Sequence, residues 1–302
     1  MISEEARRRF VRAGYRAVGH HSAIAVCHWT KESLRNGRVC YKEKWYGIQS
    51  HRCLEMTPAL IWCTHKCLFC WRPLEYTICD EPEPDEPEEI IEGCVEARRS
   101  LLNGFKGNFK VDKGKWEEAV RPTSAAISLA GEPTLYPRIS DLLEEFRKRG
   151  MATFLVTNGT RPDRLKTLET EPTNLYISLC APDKETYLAV NRPLVDEGWE
   201  RLQESLEVMK SFRCRRVIRL TLVKGVNMKE LEKYAKMILK AKPDFVESKG
   251  FMHVGEARDR LSRDAMPTHR EVVAFAQSLS KLTGYTYRDD SPQSCVALLS
   301  RN

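Results

Sequence analysis

The sequence predicts an α/β fold, a partial (βα)6 TIM-type barrel behind an N-terminal extension that carries its own cysteines. Three observations lead there. Short apolar runs alternate with amphipathic segments six times along residues 57–302. Repeated βα order implies a parallel sheet with right-handed crossovers. Three closely spaced cysteines stand directly after the first apolar run.

Residues 4–18 read as an amphipathic helix, followed by an irregular stretch to about residue 56. Strands are expected at Ala59–Trp62, Ser124–Leu129, Thr153–Thr157, Leu175–Leu179, Val217–Val223 and Phe245–Lys249. Helices are expected near 86–104, 138–149, 161–169, 184–190, 198–211 and 228–241, with a last one near 268–283. The chain accordingly divides into an N-terminal segment, 1–56, and a barrel core with its C-terminal helix and tail, 57–302. Strand alternation turns Ile218, Leu220 and Leu222 toward the outer helices and leaves Arg219 and Thr221 pointing inward. Tyr176 and Ser178 share the inward face of their strand, and Glu247 and Lys249 share one parity of theirs. A charged barrel mouth is a binding site by default, an internal ion pair being the plainer reading.

With 302 residues, 42% of them hydrophobic, the chain can fill a sizeable core. No apolar run of eighteen residues occurs, and the charged start MISEEARRRF lacks the apolar stretch of a signal peptide, so neither membrane insertion nor export is expected. Eleven cysteines in such a chain read as metal ligands or reduced thiols, which places the protein in the cytoplasm. The net charge of +7 is unevenly spread. Residues 1–56 hold eleven Lys and Arg against five Asp and Glu, whereas DEPEPDEPEEIIE at 80–92 holds eight carboxylates. A polyanion such as RNA is a plausible partner for the basic part, set against an ordinary solvated face. Arg9, Arg12 and Arg16 would form a basic stripe on the first helix. Residues 98–121 interleave Arg98, Arg99, Lys106, Lys110, Lys113, Lys115 and Arg121 with Phe105, Phe109 and Trp116, a mixture suited to phosphate contact and base stacking.

The sharpest signal is Cys63-Thr-His-Lys-Cys67-Leu-Phe-Cys70. Three thiolates at this spacing hold one face of a 4Fe-4S cluster and leave the fourth iron open, while a structural zinc would ask for a fourth ligand. The open iron can chelate S-adenosylmethionine (SAM) and pass one electron to its sulfonium. This Cys-x3-Cys-x2-Cys after a first strand resembles the radical SAM superfamily. The resemblance implies that Phe69 lies beside the adenine and that Ala130-Gly131-Glu132-Pro133 matches the family's Gly-Gly-Glu-Pro segment, with Ala in place of the first Gly. It also implies SAM contacts from Thr157, Asn158 and Ser178, and Arg219 joins this set from the inward face of its strand.

Cys27, Cys40 and Cys53 lie upstream at equal intervals of thirteen residues, in polar surroundings with little periodicity of their own. A second 4Fe-4S cluster on these three would staple the segment and keep an open iron for a substrate's carboxylate and keto oxygen. With residues 20–73 and the Ala130–Pro133 context, the pattern is similar over nearly the whole chain to the archaeal and eukaryotic 4-demethylwyosine synthases. That family resemblance implies a carbon–carbon lyase class of tRNA-modifying enzyme. It would join a two-carbon unit from pyruvate to N1-methylguanosine beside the anticodon of tRNA-Phe, giving the tricyclic wyosine base. The sequence shows no flavodoxin-like domain, so an external flavodoxin- or ferredoxin-type electron donor is expected. Lys42, two residues after Cys40, would pair with the pyruvate carboxylate or form a Schiff base with its carbonyl. Lys249, beside Glu247, competes for that role, and a plain surface lysine is the third reading. Another radical SAM class, such as a glycyl-radical activase, would share the triad without needing the basic segments. Cys79, Cys94, Cys180, Cys214 and Cys295 match no ligand pattern and read as packing or surface thiols.

Overall fold

The computed structural model describes residues 1–301 and resolves into two units, Met1–Cys63 with Asp80–Leu155, and Thr64–Cys79 with the residues from Val156 onward. The first unit begins with α1 (Glu4–Arg12), whose Ser3 side chain caps it by accepting from the Ala6 amide. The helix stops well short of residue 18 because Gly14 turns the chain at φ +89° and the Tyr15 amide bonds back to Phe10. Arg16 therefore opens a strand, β1 (Arg16–Val18), and does not continue a helical stripe with Arg9 and Arg12.

The stretch expected to be irregular is also built of regular pieces. It holds β2 (Ser22–Ala25), α2 (His28–Leu34), α3 (Tyr41–Tyr46) and β3 (Cys53–Thr57). The helices are too short to show periodicity, which is why the sequence hid them. Next come α4 (Pro87–Asn103), α5 (Lys113–Ala119), β4 (Ser124–Ile127) and α6 (Ile139–Lys148), and β5 (Ala152–Thr157) then runs from the first unit into the second. β1, β2 and β3 are antiparallel neighbours, whereas β3, β4 and β5 are parallel.

The first parallel strand is thus Cys53–Thr57 and not Ala59–Trp62. Pro58 cannot donate to a ladder, and the Thr57 hydroxyl turns the chain by accepting from the Ala59 amide while donating to the Ala130 carbonyl. Residues 59–62 are buried all the same. Their apolar run reports burial, not strand geometry.

The second unit contains α7 (Pro162–Lys166), β6 (Asn174–Ser178), α8 (Lys184–Asn191), α9 (Gly198–Val208), β7 (Arg215–Leu222), α10 (Leu231–Ala241), β8 (Phe245–Gly250), α11 (His269–Thr283), β9 (Thr286–Ser291) and β10 (Val296–Ser300). β6, β7 and β8 are parallel, and β10 then pairs antiparallel with both β8 and β9. The sequence reading missed β9 and β10. Ile218, Leu220 and Leu222 are fully buried, as the alternation of β7 requires. No helix among the described residues is long and apolar enough to cross a membrane.

Candidate active site

In the first unit the upstream cysteines sit at the starts of three short elements. Cys27 precedes α2 and its sulfur accepts from the Thr30 amide, while the Thr30 hydroxyl ties to the Ser50 carbonyl. Cys40 precedes α3, and its amide donates to the Ser50 hydroxyl, itself bonded to Glu43. Cys53 opens β3. Ser50 therefore fastens the approaches to Cys27 and Cys40 from one point.

The three thiols share one electrostatic neighbourhood. Desolvation pushes the Cys27 thiol up to about 12, reinforced by Glu55 and Cys53. The Cys53 thiol is also raised, first by burial, with Lys42 opposing and Cys40 adding to the shift. Burial thus favours the protonated form of the Cys27 and Cys53 thiols, and a metal bound by them would displace those protons. Among the described residues no three His, Cys, Asp or Glu side chains are gathered closely enough to hold a metal ion. The thiols are neighbours and not a closed cage.

Lys42 is buried, with its ammonium 4.4 Å from the centre of the Phe154 ring. Two further residues belong here that sequence reasoning missed or misplaced. Glu55 lies on β3 two residues after Cys53, on the same face, and its carboxyl is raised by burial with Lys42 and Arg98 opposing. The strand period would have found it, had the strand been set at 53–57. Arg98 was expected on the RNA-facing surface, yet it is 1% exposed. Its guanidinium donates to the carbonyls of Ala119 at 2.8 Å, Cys53 at 2.7 Å and His51 at 2.6 Å. The residue is a bracket for the start of β3. Of the aromatics in the same segment, Trp116 donates its indole N–H to Leu102 and packs against a buried cluster, whereas Phe109 is 92% exposed between Lys106 and Lys110.

Gly131 sits at φ +67°, and a Cβ there would lie 1.7 Å from the Ala59 carbonyl oxygen. Only glycine lets the two backbones approach. The adjacent Glu132 amide donates to Trp62, and the Glu132 carboxylate accepts from the amide and hydroxyl of Thr134. Cys63 closes this run in the first unit.

In the second unit the Cys67–Cys70 loop is held by its own peptide groups. The Lys66 and Leu68 amides donate to Arg192 and Val190, and Arg260 donates to the carbonyls of Leu68 and Cys70. Asn191 reaches the Cys67 sulfur at 3.8 Å. Phe69 packs against Val223, Phe251 and Ala257. Asn158 donates to the Thr64 hydroxyl and accepts from the amide and hydroxyl of Thr160, so it locks the start of that loop, and the Thr157 hydroxyl accepts from the Gly159 amide.

Tyr176, Arg219 and Glu247 of the inward-facing set of β6–β8 meet as the alternation implied. The fully buried Glu247 accepts from the Tyr176 hydroxyl at 2.8 Å and from the Arg219 Nε at 2.9 Å. Arg219 also stacks over the Tyr176 ring at 4.5 Å. Ser178 ends β6 opposite Arg219. Lys249 turns aside from this pair, and its ammonium donates to the Ser294 carbonyl at 2.8 Å.

Two family models match the chain: that of the radical SAM superfamily over residues 60–238, and one for wyosine base formation over residues 240–301. The S-adenosyl-L-methionine-dependent tRNA 4-demethylwyosine synthases of Pyrococcus abyssi and Pyrococcus horikoshii are each 54% identical to it, across all of this chain and 90% of theirs. A solved structure of TYW1 with a lysine-pyruvate adduct bound matches with a TM-score of 0.91 at 37% identity, covering 99% of this chain and 96% of that one.

Proposed function

This chain belongs to the tRNA 4-demethylwyosine synthases, radical SAM tRNA-modifying enzymes with a partial α/β barrel, and from that premise we propose that it condenses a pyruvate-derived two-carbon unit with N1-methylguanosine of tRNA-Phe. Its class is carbon–carbon lyase, and its setting is the cytoplasm. The observation that carries the reading is the neighbourhood of Cys27, Cys40, Cys53, Lys42 and Glu55 in the first unit. A glycyl-radical activase would share the SAM-activating triad without needing the basic segments.

Cys63, Cys67 and Cys70 would hold the cluster that activates SAM, and Cys27, Cys40 and Cys53 a second 4Fe-4S cluster carried by residues 1–56. When bound and reduced, the first supplies the electron that releases a 5'-deoxyadenosyl radical from SAM. The remaining roles belong to the chain. Gly131 and Glu132 shape the backbone for the methionyl group, Phe69 flanks the adenine, and Thr157, Asn158 and Ser178 fix the loops around the nucleoside. Glu247 acts as a positioning residue that holds Arg219 in place. Lys42 holds pyruvate, either by pairing with its carboxylate or as an imine through its carbonyl. Its burial next to Phe154 and Cys53, among the upstream cysteines, favours it over Lys249, and the solved TYW1 structure carries a lysine-pyruvate adduct. The basic, partly exposed residues of 99–121 together with Arg9 and Arg12 would meet the tRNA backbone, with Phe109 free to stack on a base.

The test is anaerobic incubation of reconstituted protein with SAM, dithionite, pyruvate and tRNA containing N1-methylguanosine, read by nucleoside mass spectrometry. The tricyclic nucleoside is expected. SAM cleavage with no change in the tRNA would return the activase reading. Borohydride trapping with labelled pyruvate and peptide mapping separates the lysines: an adduct on Lys42 supports its role, and one on Lys249 reassigns it.

A further inference from the structure

Beside the Cys67–Cys70 loop, in the second unit, lies a hollow of about 510 Å³ that no step above uses; its wall includes Lys66, Glu75, Leu188, Arg192, Leu194 and Arg260. The loop and the hollow share their framework, since the Lys66 amide donates to the Arg192 carbonyl at 3.1 Å and the Arg260 guanidinium holds the carbonyls of Leu68 and Cys70. The Lys66 and Arg192 side chains enter no ion pair among the described residues. The wall also exposes apolar surface, Leu188 at 50% and Leu194 at 42%, and Trp71, which follows Cys70 in the chain, is 49% exposed.

Three cations against one carboxylate attract an acidic partner and speed its approach. Exposed Trp and Leu give that partner a surface to desolvate, and Arg and Trp are enriched where proteins meet. The leucines and the Glu75 carboxylate suit a polyphosphate backbone poorly. Electron-transfer encounters are small and transient, so a patch with a few cations and exposed leucines is enough to support one. We propose that this surface docks an acidic one-electron carrier protein that reduces the SAM-activating cluster. In the transfer the carrier loses one electron and the cluster gains it; no bond forms or breaks. The inference rests on the radical SAM reading above and adds the place where its reductant binds.

The experiment uses full-length reconstituted enzyme and an acidic flavodoxin reduced to its hydroquinone, with flavin oxidation followed by stopped flow across a salt series. Arg192→Glu and Leu188→Glu should each lower the second-order rate constant about tenfold or more at low salt, and Arg192→Glu should also flatten the salt dependence. Arg192→Lys should keep both. Dithionite-driven SAM cleavage and tRNA affinity should stay at wild-type levels in all three variants, which also shows them folded. Calorimetric titration with oxidised flavodoxin should give weaker binding for the two Glu variants. An unchanged flavodoxin rate in Arg192→Glu overturns the proposal, and so does a loss of tRNA affinity in its place, which would make the surface an RNA contact. Protein that takes up no iron-sulfur chromophore would instead refute the underlying radical SAM reading, and the titration would still decide whether the surface binds the carrier.

Discussion

Arg98 offers the most demanding check on the first unit. Replacing it with Met keeps much of the aliphatic stem and removes three hydrogen bonds, of 2.6–2.8 Å, to the carbonyls of His51, Cys53 and Ala119. Hydrogen bonds from a charged group contribute about 1.5–3 kcal/mol each, but one guanidinium makes all three and they cannot simply be added. The loss should come to about 4 kcal/mol, set against a total stability of about 5–15 kcal/mol for a folded protein. Its neighbour Arg99 is exposed, with one long bond to Val120. Arg99→Met should stay within about 0.5 kcal/mol of wild type. Urea unfolding gives both values. At a slope of about 3 kcal/mol per molar, the Arg98→Met midpoint should fall by more than about 1 M. The salt slope of tRNA binding should drop in Arg99→Met and hold in Arg98→Met. Equal stability losses in the two variants would refute the bracket.

Gly131→Ala should abolish SAM binding and cost several times more than Gly150→Ala. The two share nearly the same φ, +67° and +66°, but nothing lies within 4 Å of a Cβ at Gly150, where about 1 kcal/mol is expected, and similar losses by thermal melting would undo the argument. Glu247→Gln leaves the Arg219 charge without its partner and should destabilise by about 3 kcal/mol, part of which a Glu247→Met/Arg219→Met pair should recover, as a double-mutant cycle would report. His21 is buried, with Nδ1 on the Pro58 carbonyl and Nε2 accepting from the Asp85 amide, and burial lowers its pKa from the ordinary 6.5 despite the pull of Asp85. The unfolded chain therefore takes up the proton first, so this contribution to stability is intact above about pH 6.5 and declines as pH falls toward the lowered value. His21→Gln should flatten that part of the stability–pH curve, and an unchanged curve would exclude the imidazole as its source.

Six parallel strands were legible as apolar runs, and five of them lie within about two residues of their expected places. The first moved because an apolar run measures burial, and at Ala59–Trp62 the buried backbone lies against Gly131 and bonds to Glu132 where a strand would have paired. Helices α2 and α3 escaped because six or seven residues hold too few turns to show a stripe. The meeting of Tyr176, Arg219 and Glu247 on β6–β8 was readable from alternation alone. Arg98 was not: a guanidinium that satisfies three main-chain carbonyls looks, in one dimension, like any surface arginine. β10 was hidden for another reason, since the short run Val296–Ser300 lies after the last βα unit and pairs antiparallel with β8 and β9.

The hydrogen bonds that fasten the Cys67–Cys70 loop bear on how such an enzyme outlasts damage. Zinc fingers and similar small domains unfold when their metal leaves, because the metal is most of what folds them. Here the loop is anchored by amides to Arg192 and Val190, by Arg260 on two of its carbonyls, and by Asn158 on Thr64. None of these bonds involves a cysteine sulfur. Loss to oxidation of the cluster proposed for this loop would leave these bonds, and with them the course of residues 64–70, in place, so that reloading would need no refolding of the chain around the thiols.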